Sequence, residues 1–263
     1  MNAEIRPDLG LAVLCVAMAV AAAVVYRVAV LGSPFVAPRA AVRGALQLAA
    51  VALVLAAALA RLWSAILVLA VMFVAAVVTS ARRSGAVKSA PWLALALGAG
   101  VGAVLPPMLL SGVVPMAGVA LVPVGGIVLG GAMTATSLAA RRALDAVEQR
   151  WGEVEAALSL GFTERDARLE VIHPTATDAL LPGVDQTRTV GLVTLPGTFV
   201  GVLIASGSAI QAGAVQILVL SGLLLAQSCA VAVTIELVAR RRVTRRRAGD
   251  RGDASASKPP GFS

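Results

Sequence analysis

Few residues of this chain have the type and spacing that covalent chemistry needs. The single histidine, His173, has no nearby cysteine or second histidine to complete a metal site. It stands before Pro174, where a structural or interface role is expected. Cys15 and Cys229 each lie in an apolar run, as small core residues rather than a disulfide or a metal pair. No GxSxG nucleophile elbow and no HExxH zinc motif occurs. GxxxxGK[ST] is also missing, so the chain has no Walker-type loop of its own. The spacing Gly98-x-Gly100-x-Gly102 resembles a nucleotide loop only superficially, because it lies within an apolar run with no strand before it. No catalytic residue and no cofactor are expected in this chain, and any use of ATP must come through a partner.

The residues that could position a partner lie instead in one charged interruption, Arg141 to Arg188. Val147, Trp151, Val154 and Leu158 recur at i, i+4, i+7 and i+11, one face of a helix. Gly161 suits the position just after that helix, where a left-handed backbone is wanted. Thr163, with Asp166 three residues on, suits the start of a second helix, and Pro174 is expected to end it. The spacing predicts a helix, a glycine turn and a second helix projecting from the membrane face.

The rest of the chain must hold this segment in place, and its composition says how. Of 263 residues 59% are hydrophobic and 14% charged, against about 25% charged in an average soluble domain, and the mean hydropathy is +0.89. Runs of roughly 20 apolar residues are long enough to cross a bilayer as helices. The expected fold is all-α: a polytopic membrane protein of about seven transmembrane helices. The spans are expected near 9–25, 44–60, 62–79, 92–110, 113–138, 190–206 and 212–238, with the helical segment 141–188 between the fifth and sixth. Residues 1–239 form the membrane domain in this reading. Residues 240–263, beginning RRRVTRRR, form a basic tail expected to be disordered. The mixed-charge start, MNAEIRPD, and the long run after it point to a retained first span rather than a cleaved signal peptide.

The net charge of +8 is distributed as in a membrane protein. With the C-terminus inside and the N-terminus outside, 20 of the 22 Lys and Arg residues fall on the cytoplasmic side, leaving Arg6 and Arg61 outside. Aromatics make up only 3% of the chain, too few for a base-stacking surface, so nucleic acid is excluded as a partner. Membrane lipids are expected as one, since each arginine beyond the last span would add about 1 kcal/mol of attraction to anionic headgroups. Of the fourteen acidic residues only Glu236 lies in a span, near its end and beside Arg240. That speaks against a carrier driven by midplane carboxylates. GAGVGAVLPP and PVGGIVLGGAM, around Gly98–Pro107 and Pro123–Met133, mark helix bends or close packing.

Within the soluble segment, Glu155-Ala156-Ala157-x3-Gly161-x9-Val171-x-His173-Pro174 resembles the E-A-A-x3-G-x9-I-x-L-P loop of ABC importer-type permeases. It departs at Val171 and at His173. More of the chain, MTATSLAARR (Met133–Arg142), EAALSLGFTERDA (Glu155–Ala167) and VGLVTLPGTFVGVLIASGSAIQAGAVQI (Val190–Ile217), resembles a narrower family, with RGALQL (Arg43–Leu48) a weaker match. These are metal-export ABC permeases, known as iron-export permeases in bacteria and aluminium-resistance proteins in plants. Where that family has Gly-Asn before the span-5 Met, this chain has Gly131-Ala132; after Leu-Pro-Gly it has Thr198-Phe199-Val200-Gly201-Val202 in place of Met-Met-Thr-Gly-Gln.

The resemblance implies a permease subunit in the inner or plasma membrane. It would pair with itself and with a separate ABC ATPase that carries the ATP and magnesium. Glu155, Ala156, Ala157, Gly161 and Pro174 would then couple to the ATPase, moving spans 5 and 6. Met133, Thr134 and Ser137 with Thr194, Pro196 and Gly197 are pathway candidates, with helix packing an equal alternative. Gln47 and Gln216 are isolated polar groups suited to interhelical hydrogen bonds or substrate contact. An ATP-independent carrier or channel, and a membrane scaffold that recruits a partner, are the other function classes.

Overall fold

The computed structural model describes residues 9–58 and 61–245. The chain divides into two units, residues 1–60 and 61–263. In the first, α1 (Leu9–Val28) and α2 (Val36–Ala58) pack against each other. The second holds α3 (Leu62–Ser84), α4 (Ala90–Leu110), α5 (Gly118–Gln149), α6 (Trp151–Ser159), α7 (Glu164–Ala176), α8 (Leu181–Thr189), α9 (Gly197–Ser206) and α10 (Ala209–Ala239). Among the described residues five helical stretches are long and apolar enough to cross a membrane: α1, α3, Val87–Leu110, α5 and α10. The polytopic all-helical fold is therefore as expected, and each expected span finds a helix.

The core of the second unit lies between α5 and α10, with α3 and α4 closing its sides. Small residues set how closely these helices approach. A Cβ added at Gly100 of α4 would stand 2.5 Å from the carbonyl oxygen of Ala226 in α10, so the two backbones touch there. Gly222 of α10 similarly receives Met108 and Val104 of α4. Between α3 and α5 apolar packing, with Leu69 of α3 against Gly125, is joined by a polar contact. Ser137 donates to the Met133 carbonyl at 2.6 Å and meets the Ser80 hydroxyl at 3.2 Å.

Three boundaries differ from those expected. α5 does not end at Leu138; it runs 32 residues through Pro123 to Gln149, so its last turns belong to the charged segment. A helix of that length spans about 48 Å, well beyond the roughly 30 Å hydrocarbon core. The sixth span is helical only over the ten residues of α9, about 15 Å, half of that core. Pro196 enters it after a turn in which Gly191 (φ +80) donates to the Thr194 carbonyl at 2.8 Å. Pro174, finally, does not end its helix, because α7 continues to Ala176. The proline is exposed and the residue whose carbonyl loses a donor, Glu170, is exposed as well, so solvent can satisfy the vacant acceptor.

Candidate functional site

α6 and α7 form the helical hairpin expected from the spacing, and the geometry of its turn explains the glycine. Gly161 has φ +91. Its N–H donates to the Leu158 carbonyl at 3.0 Å, and the Phe162 N–H donates to Ala157 at 3.1 Å. This pair of bonds is the Schellman arrangement, which needs a left-handed residue. Nothing lies within 4 Å of a Cβ built on Gly161, so backbone conformation, not space, selects glycine here. Thr163 caps α7 by accepting from the Asp166 N–H at 3.2 Å, as the sequence predicts.

The hairpin turns one face inward and leaves its tip bare. Val154, Ala167, Val171 and Ile172 are fully buried and share a core with Ala81, Ala86, Leu93 and Leu237 from the ends of α3, α4 and α10. The segment is therefore packed onto the transmembrane bundle along its length, rather than projecting from it. At the tip Leu160 is 80% exposed and Phe162 48%, while Trp151, at the start of α6, is 38% exposed. Glu155 is exposed and accepts from the Trp151 indole N–H at 2.6 Å. Ala156 is exposed and Ala157 half-buried. The expected coupling residues Glu155, Ala156, Ala157 and Gly161 thus gather around one apolar tip, while Pro174 lies at the far end of α7.

Two arginines tie α7 to α10. Arg165 forms a fork with Glu236, Nε to Oε1 and Nη2 to Oε2, both at 2.7 Å, and Arg240 Nε joins the same carboxylate at 2.5 Å. Arg168 is buried, with Nη1 donating to the Ala239 carbonyl at 3.2 Å and Nη2 to Glu164 at 3.0 Å. A cation at the last carbonyl of α10 meets the negative end of that helix. Arg168 also holds the Glu164 carboxyl below its usual range, by hydrogen bond first and charge second. On the other side, Arg150 at the α5–α6 break donates to the Val171 carbonyl at 3.2 Å and pairs with Glu153. The long helices that contact the hairpin are α5 and α10.

Arg165 and Arg168 were not among the residues singled out from the sequence. No local pattern marks them, because the groups they meet, Glu236 and the Ala239 carbonyl, lie 71 residues further along the chain.

The pathway candidates fall into two groups. Ser137 is buried on the α3 seam, and Met133 packs with Leu97, Ala76 and Leu129. Thr134 is exposed and donates to the Gly130 carbonyl at 3.0 Å. Thr194 and Gly197 are exposed and Pro196 half-buried in the turn into α9, which packs on α10. A second polar place went unnoticed in the sequence. Gln227 of α10 is buried between Gly131 of α5 and Gly183 of α8, and its Oε1 has no hydrogen-bond partner. Gln216 is buried with an unpaired Oε1 too.

A protein-family model matches residues 7–243, almost the whole chain. The chain belongs to the uncharacterised protein family UPF0014. It is 36% identical over 178 residues to the UPF0014 membrane protein slr1647 of Synechocystis, covering 65% of this chain and 69% of that one. It is 30% identical to Protein ALUMINUM SENSITIVE 3 of Arabidopsis thaliana over 182 residues, 68% of this chain and 67% of the other. It is 31% identical over 150 residues to the probable iron export permease protein FetB of Escherichia coli, 57% of each chain. No solved structure matches. This is the family expected from the stretches Met133–Arg142, Glu155–Ala167 and Val190–Ile217, and the chain is a membrane protein of it.

Proposed function

We propose that the chain is the transmembrane permease subunit of an ABC transporter that exports metal ions of the iron class, powered by a separate ATPase. The observation that carries this reading is the α6–α7 hairpin. It offers an exposed apolar tip around Gly161 at the E-A-A-x3-G spacing, and its inner helix is fixed to α10 through Arg165 and Arg168. A groove on the ATPase would receive Leu160 and Phe162. Closure of an ATPase dimer on ATP and magnesium would then move α6 and α7 with the ends of α5 and α10. Motion reaching α10 in this way would act on α9 and on the glycine-lined seams. The similarity to the probable iron export permease supports the choice of cargo.

In this assembly two permease copies stand in the plasma membrane with the hairpin and the C-terminus cytoplasmic. Thr194, Pro196 and Gly197, at the opening of the half-length α9, are its pathway residues, with Met133, Thr134 and Ser137 supporting the adjoining seam.

The test is reconstitution of the chain with its ATPase and measurement of metal efflux over a panel of ions. Gly161→Pro and Glu155→Arg should leave membrane assembly intact while lowering transport-coupled ATP hydrolysis. Unchanged coupling in both variants would refute the assignment of the hairpin. Flux by the purified chain alone, without ATP, would refute the ABC mechanism.

A further inference from the structure

We propose that the corner made by the end of α3, the turn into α4 and residues 240–245 is a binding site for the phosphate of an anionic phospholipid headgroup. This does not rest on the transport reading, only on the chain's place in a membrane.

Charge pairing picks out the corner. Of the fourteen Lys and Arg residues described between 61 and 245, nine have a carboxylate partner. Arg61 stands apart at the opposite end of α3. The other four are Arg82 and Arg83 in the last turn of α3, Lys88 in the short turn Val87–Ser89, and Arg242 beyond α10. All four are exposed. The nearby acids are already engaged, since Asp145 and Glu148 both face Arg245.

The segment after α10 is built into this corner. The chain turns back at Arg241, which takes φ +58, and Val243 is buried against the hairpin core. Arg245 Nε donates to the Ser84 carbonyl at 2.9 Å, and the Thr244 N–H donates to the Ser89 hydroxyl at 3.1 Å. The segment expected to be disordered from residue 240 is therefore packed through Arg245, and the remainder of that tail lies outside the described residues. This anchoring holds the Arg242 guanidinium 5.0 Å over the ring of Trp92. Trp92 is partly exposed in the first turn of the α4 span, the depth at which tryptophan sits among headgroups.

An arginine braced on an interfacial indole, at a corner that also carries Arg82, Arg83 and Lys88, suits a phosphate at the membrane surface. Guanidinium groups bind phosphate oxygens in pairs, and lysine adds a point charge. A lipid, unlike a free phosphate, would also lay its chains along the exposed apolar sides of the α3 and α4 spans.

The test uses the full-length chain carrying W63F and W151F, so that Trp92 is the only tryptophan. It is reconstituted in phosphatidylcholine vesicles with a minority of brominated phosphatidylglycerol or, in parallel, brominated phosphatidylcholine. Quenching of Trp92 should favour the anionic lipid by well over tenfold, since each of the four cations contributes about fivefold. Arg242→Gln should reduce that preference about fivefold, the factor expected for one cation near the surface. Arg82→Gln, Arg83→Gln, Lys88→Gln and Arg242→Gln together should abolish it. Arg188→Gln, which alters a paired cation elsewhere, should not change it. Equal quenching by both lipids, or a preference that survives the fourfold change, would overturn the proposal. So would loss of the preference on adding inorganic phosphate at constant ionic strength, which would identify a free phosphate as the ligand. Elution of each variant as a single species separates loss of the site from loss of the fold.

Discussion

Replacing Gly100 by alanine tests whether close helix approach, rather than glycine content as such, holds the bundle together. The new Cβ would lie 2.5 Å from the Ala226 carbonyl oxygen and 3.1 Å from the Ala230 methyl. Ordinary contact begins near 3.4 Å, so α4 and α10 must separate by most of an ångström along that stretch. The obstructing atom is backbone, so no rotamer change relieves the clash. Overpacking of this kind costs about 1–3 kcal/mol. Against it stands the gain from putting alanine in place of glycine in a helix, about 1 kcal/mol.

Gly102, two residues beyond and in the same helix, has nothing within 4 Å of its Cβ. Gly102→Ala therefore receives the propensity gain without the clash, and the difference between the two variants isolates the packing term at about 1–3 kcal/mol. For a unit of this size each kcal/mol moves the midpoint by about 2–4 °C. Thermal unfolding of the detergent-purified variants should thus place Gly100→Ala some 2–12 °C below Gly102→Ala. A Gly100→Ala protein that melts at or above Gly102→Ala would refute the contact between the two backbones.

The hairpin supports three further predictions. Gly161→Ala forces a side chain into the left-handed region at a cost of about 1–2 kcal/mol; hydrogen exchange should quicken at the Gly161 and Phe162 amides, while Gly152→Ala, in open space, leaves them protected. Arg168→Met keeps the aliphatic stem but removes the donors to Ala239 and Glu164. The loss of charged hydrogen bonds should cost about 1.5–3 kcal/mol, visible as a lower melting midpoint and faster exchange at the last turn of α10. Glu164 has its native pKa lowered from 4.5 chiefly by the Arg168 hydrogen bond. Its contribution to stability is complete above that value and is lost as the pH falls through the lowered native one. The melting difference between the parent and Glu164→Gln should therefore be constant near neutrality and close in acid; a difference that widens in acid would contradict the pair.

Apolar run length located every membrane helix, because a span must satisfy all its backbone hydrogen bonds internally and so reads as an unbroken run. The α6–α7 turn was legible for a different reason. Gly161 and Thr163 mark local backbone needs, a left-handed residue and a cap, that only a few residue types meet. Pro174 does not bound its helix, because solvent can donate to the exposed Glu170 carbonyl that the proline leaves without a partner. The end of α5 was hidden because a helix that leaves the membrane changes its composition at Arg141 without changing its backbone.

What no local pattern shows is which surface the charged segment lies against. Arg168 reads as one more exposed cation until the Ala239 carbonyl, 71 residues away, is placed beside it. In the proposed mechanism the same contact would carry force from the hairpin to α10. A hairpin held only by its apolar side could slide along the bundle, whereas the Arg165 fork and the Arg168 bond fix α7 to the end of α10 at two points less than one turn apart. Breaking one point alone should leave the other as a pivot. Arg165→Ala is thus expected to keep α7 docked but lower coupling, and only the double variant with Arg168→Met should release the helix. Hydrogen exchange across 164–176, measured in all three variants, distinguishes the two cases. Full protection in the double variant would show that the apolar face alone holds the hairpin, and α10 would then lose its place as the receiving helix.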